Sequence, residues 1–335
     1  MRATRVDVAK RAGVSVATVT YVLNNTCPVK EETRRKVLRA ARDLCYVPDL
    51  RARSMATNRT MQLGVIVPSL TDPADCEIIE AFIHIAAQNG YFVNVSIRGN
   101  NIRQNIRNII SQHMDGVFLL LTPEEIEVDM IFQITDTEIK VVAGVPLLNE
   151  KDRQYASTVQ LAHDQAFEEA VGYLRRHGHE QIAFVSNAYN DNRESRYLST
   201  YRAMASRHDG QEIVFHVDDQ RYISSFEAGR SLAEQLLASA ALFSAVLVSD
   251  DGMAQGVIAA LSEHQLTVPA DISVMSLNGS NSVVESSYIT AMVPDYIAYA
   301  ELVFNVLQDS INGNLIEHLL IPLKFREGHT VVSRQ

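Results

Sequence analysis

Residues 15–25 read SVATVTYVLNN, and the stretch just before them, 4–14, reads TRVDVAKRAGV. In the earlier stretch Val6, Ala9 and Ala12 recur at helical spacing. Thr4 is placed to cap that helix, and Asp7 in its first turn complements the helix dipole. Gly13 ends it, because glycine takes a left-handed conformation without a clash. Ser15 then caps a second helix whose apolar face would be Val16, Val19, Val22 and Leu23. Two short helices joined by a glycine-containing turn make a helix-turn-helix. A third helix, about 31–44, brings Val37, Leu38, Ala41 and Leu44 to close a small core.

The second helix would expose Ser15, Ala17, Thr18, Thr20, Tyr21, Asn24 and Asn25. Hydroxyls and amides of this kind bond phosphates and base edges, and an alanine methyl can meet a thymine methyl. Together with Thr4 and Val16, the row Ser15, Ala17, Thr18, Thr20, Tyr21 and Asn24 makes a candidate set of contacts to double-stranded DNA. Charge supports it. Residues 1–60 hold 13 Lys+Arg against 5 Asp+Glu, a balance of +8, while the other 275 hold 17 against 35, a balance of −18. An acidic chain with one basic terminal module points to a polyanion-binding head on a body that repels polyanions. Some of Arg34, Arg35, Lys36, Arg39 and Arg42 serve only as the solvated face of the third helix.

At 335 residues and 47% hydrophobic content, two or three domains with ample cores are expected. No apolar run reaches the roughly 18 residues that span a bilayer, and the N-terminus does not read as a secretory signal. Cys27, Cys45 and Cys76 are odd in number and lack a C-x-x-C pairing, which fits reduced thiols in a cytoplasmic protein. The ten histidines show no metal-ligand spacing; His177 and His179 merely flank Gly178 ahead of a strand. Neither a metal nor any other cofactor is expected. Without a G-x-S-x-G or a Cys–His arrangement, an enzyme is not expected either.

From residue 61 the pattern becomes strands alternating with helices. Strands are expected at 63–67 and 92–97, both read as buried, and at 116–121, 139–143, 181–185, 213–217, 244–248, 272–277 and near 319–325. Helices are expected at 78–88, 102–113, 163–176, 193–206, 225–239, 252–264 and 296–312. That alternation implies parallel sheets with helices on both faces. No G-x-G-x-x-G follows the first strand and no P-loop is present, which removes the main support for nucleotide binding.

The run RVDVAKRAGVSVATVTYVLNN, continued by VKEETRRKVLRAARDLCYVPDLRARSMATNRT, resembles the head of a LacI/GalR-type transcriptional regulator. The likeness continues in the family's order through GVIVPSLTDP (64–73), HMDGVFLL (113–120), GHEQIAFV (178–185), LVSDDGMAQG (247–256) and VPADISVMSLN (268–278). Six segments in one order are highly specific. The resemblance implies a helix-turn-helix head at 1–46, a hinge at 47–60 and a body at 61–335, built like the periplasmic sugar-binding proteins. The lobes would be about 61–158 plus 290–318, and 159–289 plus 319–335, with the chain crossing near 158, 290 and 318. In the hinge, Pro48 stops what precedes it, and 50–56 makes at most two turns of helix, too short to stand alone in water. By resemblance this segment orders on operator DNA beside its dimer mate. Met55 would be the minor-groove wedge, and Arg53, with Arg51 and Arg59, would lie near phosphates.

A ligand in such a body binds at the carboxyl ends of the strands, between the lobes. The expected effector set is Thr71, Asn100, Arg196, Tyr222, Asp250 and Asn278. Arg196 fits the family's R-x-x-G-aromatic-x-x-A only at its Arg and at Ala203. Asp250 stands where the family often has Asn, and Asn278 where it often has Asp, so acid and amide have traded places. Asp72-Pro73-Ala74-Asp75 lacks the family's aromatic platform, and Gly144-Val145 and Ala162-His163 replace its Asp-Arg and Asp-Asn. The framework is kept while many sugar contacts are lost. The implied partners are operator DNA, a second copy of the chain and a small effector of carbohydrate type. A protein co-effector, as in catabolite-control relatives, is the alternative, with Arg98, Arg103 and Arg107 a faint basic patch.

Overall fold

The computed structural model describes residues 3–24, 27–46, 59–68, 70, 73–99, 102–121, 126, 129–147, 151–186, 214–216, 224–239, 241–280, 288–313 and 315–334. Two compact units divide the chain, Met1–Thr60 and Met61–Gln335.

Among its described residues the first unit has three helices, α1 (Arg5–Ala12), α2 (Val16–Asn24) and α3 (Glu31–Asp43). A capping box opens α1: the Asp7 N–H donates to Thr4 Oγ1 at 3.3 Å, while Thr4 N and Oγ1 donate to Asp7 Oδ2 at 2.8 and 2.7 Å. Gly13 ends the helix at φ 68°, its N–H returned to the Ala9 carbonyl. Val8, Ala9, Val19, Val22, Val37, Ala40 and Ala41 form the core. Val6, Val16 and Leu38, expected inward, are exposed. At about 100° per residue, Val6 lies on the far side of Ala9 from Val8 and Ala12, and Leu38 is a similar turn away from Val37, Ala40 and Ala41. Helices this short bury a stripe narrower than the apolar count implies.

The second unit holds two six-stranded sheets. The first contains β1 (Gln62–Val67), β2 (Phe92–Ile97), β3 (Gly116–Leu119), β4 (Lys140–Ala143), β5 (Ser157–Leu161) and β11 (His318–Ile321), in the order β2-β1-β3-β4-β5-β11. The second contains β6 (Ile182–Ser186), β7 (Val214–His216), β8 (Ala245–Val248), β9 (Ser273–Ser276), β10 (Thr290–Val293) and β12 (Lys324–Arg326), ordered β7-β6-β8-β9-β10-β12. The two orders are the same winding repeated. Every pairing is parallel except β10 with β12. The helices are α4 (Pro73–Gln88), α5 (Ile102–Ser111), α6 (Met130–Thr135), α7 (His163–Arg176), α8 (Ser225–Ala238), α9 (Asp251–Glu263) and α10 (Tyr296–Ile311).

Among the described residues, β5, α6, β10 and the 3-10 turn Asp152–Gln154 escape the sequence reading, each too short or too mixed to show a period. They move the lobe crossings. A crossing at 158 would fall inside β5, so the chain leaves the first sheet after Leu161. It stays in the second sheet through Val293, and the expected final strand is two strands, one in each sheet. Pro322 separates them, since it has no N–H to continue a ladder. The expected helix at 193–206 lies outside the described residues.

After β10 the chain returns to the first lobe as α10, burying Tyr299, Val303, Phe304 and Leu307. Its rings join those of α4 and β3: Phe82 lies 5.6 Å from Phe118 and 6.2 Å from Phe304, and Phe118 lies 6.3 Å from Tyr299. In the second lobe Phe167 meets Phe184 edge-on at 5.5 Å. The residues after β12 are tied back to that lobe. Thr330 Oγ1 donates to the Val274 carbonyl at 2.6 Å, and Arg334 N donates to that of His177 at 2.8 Å. His179 is fully buried, with Nδ1 2.9 Å from Ser244 Oγ and Nε2 3.0 Å from the Val332 carbonyl. The 177–179 turn is thus an anchor for the tail. Among the described residues no His/Cys/Asp/Glu cluster could hold a metal, and no helix is long and apolar enough to cross a membrane.

Candidate functional site

On α2 the hydroxyls divide into those already engaged and those open. Ser15 Oγ accepts from the Thr18 N–H at 3.1 Å and lies 2.8 Å from Thr18 Oγ1. Thr20 Oγ1 donates to the Val16 carbonyl at 3.0 Å, and the Thr4 hydroxyl hydrogen goes to Asp7. Those four polar residues therefore shape the helix ends before they meet any ligand. Ala17 and Tyr21 differ. Both are exposed, Tyr21 to 43%, and four residues apart they share one helix face. The side chain of Asn24 lies outside the described residues, as do Arg53 and Met55. Around this face Arg35 and Lys36 pair with Glu31 and Glu32 within α3 at 3.3 and 2.8 Å, so they belong to the solvated helix surface.

In the body, the two predicted effector residues that are described both stand just past a strand of the second sheet. Asp250 follows β8 and caps α9, accepting from Met253 N at 2.9 Å and from Ser249 Oγ at 3.0 Å. Capping is its first role, and the helix dipole favours its negative charge there. Asn278 follows β9, and its Oδ1 lies 3.3 Å from Tyr296 Oη, an oxygen equally far from the Gly279 carbonyl. Tyr296 begins α10, so this bond ties the carboxyl end of a second-lobe strand to a first-lobe helix. Thr71, Asn100, Arg196 and Tyr222 lie outside the described residues.

Next to Asn278 is a network that motif reading does not reveal. The Ser280 N–H donates to Asp251 Oδ2 at 2.9 Å, and the Ser280 carbonyl accepts from Arg326 Nη1 at 2.9 Å. Arg326 Nη2 reaches Asp251 Oδ2 at 3.1 Å. The Ser280 hydroxyl donates to Glu77 of α4, in the other lobe. Asp251 is only 3% exposed; burial pushes its carboxyl above the ordinary value, against the pull of the Ser280 N–H and of Arg326. A second feature lies where the chain departs from the family. A Cβ at Gly144 would lie 2.7 Å from Tyr299 Oη, whose hydroxyl donates to the Val159 carbonyl at 3.0 Å. At 144, where the resemblance expects Asp, a buried tyrosine fills the space a side chain would need.

Comparison with known proteins agrees with this architecture. Residues 5–49 match the bacterial regulatory proteins of the lacI family, and 171–331 match the periplasmic binding protein-like domain. The HTH-type transcriptional repressor PurR of Pasteurella multocida (strain Pm70) is 31% identical over 82% of this chain and 81% of its own. Catabolite control protein A of Priestia megaterium is 27% identical over 97% of this chain and 98% of its own. Among solved structures, the lac repressor dimer bound to operator and the anti-inducer ONPF superposes with TM-score 0.83 at 25% identity, covering 99% of this chain and 100% of that one. A capped helix-turn-helix ahead of a twice-wound two-sheet body, with these relatives along it, places the chain in the lacI family of bacterial regulatory proteins, as a DNA-binding transcriptional regulator.

Proposed function

We propose that the chain is a cytoplasmic repressor that binds a pseudo-palindromic operator as a homodimer and answers to a small molecule held between its lobes. The observation that carries the reading is the exposed Ala17–Tyr21 face on a second helix capped by Ser15, the place from which a recognition helix reaches base edges. Support for a second copy comes from the first lobe. Phe92 is 63% exposed and Ile97 50% exposed on β2, an edge strand, and Ile83 of α4 is exposed as well. An apolar edge strand of this kind is a template for pairing or packing with another chain. Selection of binding sites from random duplex DNA tests the first claim: an enriched sequence with two-fold symmetry supports it, and recovery of unbiased DNA removes it.

For the effector, support is weaker and lies in placement. Asp250 and Asn278 both stand at carboxyl ends of strands, where two-lobe parallel-sheet proteins hold ligands. A sugar or sugar derivative suits carboxylate and amide acceptors. Thermal-shift screening of residues 61–335 against sugars, sugar phosphates, nucleosides and small acids would find it, since a ligand of the native state raises the melting temperature by mass action. Arg196→Ala should then remove the ligand response and leave operator affinity intact. The alternative, a protein co-effector, is supported by exposed Arg103 and Arg107 on α5. Capture of a partner from lysate, lost on reversing those two charges, together with no hit in the screen, would favour it.

A further inference from the structure

Ser280 has all three of its polar groups engaged, and they reach in two directions. Its N–H and carbonyl are held inside the second lobe by Asp251 and Arg326. Its hydroxyl alone crosses to the first lobe, to the Glu77 carboxylate. Arg326 is itself fixed, with Nε and Nη2 donating to the Ile289 carbonyl at 3.3 Å each while Nη2 also meets Asp251. The second-lobe side of the contact is therefore a rigid, buried mount, Ser280 being 4% and Asp251 3% exposed. On the other side, Glu77 projects from α4, a helix clamped to the first lobe through Phe82. A second cross-lobe bond, from Tyr296 to Asn278 or the Gly279 carbonyl, sits beside it.

We propose that the Glu77–Ser280 bond is an inter-lobe latch, seated on the Asp251–Arg326 pair, that sets the population of the lobe spacing seen in this structure. The seat explains why so short a side chain can act as a catch: a hydroxyl moves with its backbone, and this backbone is pinned on both sides. A hydrogen bond to a carboxylate is about twice as strong as a neutral one, and here it is partly shielded from water. Losing it frees the lobes to separate without disturbing either core. Asn278 lies two residues from the catch, so a molecule that draws on Asn278 changes the load on Ser280; this last step rests on the effector reading above.

The latch is tested without any ligand. In the full chain, with Cys27, Cys45 and Cys76 replaced by serine, spin labels are placed at Ser111→Cys and Ser262→Cys. These positions are exposed, one in each lobe. Doubly labelled chain is diluted into unlabelled chain, and the distance distribution is recorded for the parent, Glu77→Ala, Ser280→Ala and the double variant. Each single variant should raise the more widely separated population about tenfold, as expected for loss of a charge-assisted hydrogen bond. The double variant should go no further than either single one, because both remove the same bond. Two variants from opposite lobes guard against one that fails to fold. An unchanged distribution in either single variant, or effects that add in the double, overturns the latch. Because no ligand is present, that outcome is separate from any failure to find an effector.

Discussion

On the proposed DNA-reading face, Tyr21 is the residue through which specificity would turn most directly. It is exposed, it makes no hydrogen bond within the chain among the described residues, and it shares a helix face with Ala17. Each good base contact is worth about 1–3 kcal/mol of discrimination. Tyr21→Ala should therefore weaken operator binding by roughly ten- to a hundredfold while leaving non-specific binding and its salt dependence unchanged. Equal losses on operator and random DNA would move Tyr21 from the bases to the backbone. His179 acts at the same scale on stability. Burial depresses its pKa below the ordinary value of 6.5, partly offset by the bond to the Val332 carbonyl. Below that ordinary value the unfolded chain takes up a proton that the native one refuses. Its contribution is thus present above the unfolded pKa and lost as pH falls toward the folded one. Urea unfolding of residues 61–335 should show a steeper acid loss for the parent than for His179→Gln, by at most about 1.4 kcal/mol per pH unit. Parallel slopes would mean that His179 is not a buried neutral anchor.

At the scale of elements, Gly144 and Tyr299 form a unit that joins the end of β4 to α10. Gly144→Ala puts a methyl 2.7 Å from the tyrosine oxygen and should destabilise by about 1–3 kcal/mol, as overpacking does. In a Tyr299→Phe background that oxygen is gone, so the same alanine should do much less harm. A double-mutant cycle on unfolding free energy measures the coupling, and additive losses would show that the close approach is relieved elsewhere. The pair also shows what the sequence makes legible. Strand β2 and helix α7 run over the residues their patterns predict, α7 through a clear 3.6-residue stripe, but β2, read as buried, is an edge strand with Phe92 and Ile97 exposed. The loss of the family's Asp-Arg at 144–145 was visible too. The crowding at 144 was not, since Tyr299 is distant along the chain and only the return of α10 to the first lobe brings the two together. Arg326 and Glu77 escaped for the same reason: each is an ordinary surface charge until folding sets Ser280 between them. Asp250 reads as an effector residue from the family pattern, yet its place just ahead of α9 is also a local N-cap signal in the sequence.

For the whole molecule, the division into Met1–Thr60 and Met61–Gln335 gives a sharp expectation about linkage. The head carries the excess of cations and the body a balance of −18, so the polyanion addresses the head, while the proposed effector addresses the body. If the effector site is complete within the body, residues 61–335 alone should bind an effector within about twofold of the full chain measured without DNA. Adding operator should change the full chain's effector affinity by roughly 5–150-fold, the usual span of allosteric coupling, and should leave the body fragment unmoved. The factor by which operator shifts effector binding must equal the factor by which effector shifts operator binding, so calorimetry in one direction and gel shift in the other measure one number twice. An affinity in the fragment more than tenfold below that of the full chain would place part of the effector site on the head or hinge. An operator-independent effector affinity in the full chain would mean that the small molecule stabilises the body without controlling DNA, and regulation would then have to enter through another surface.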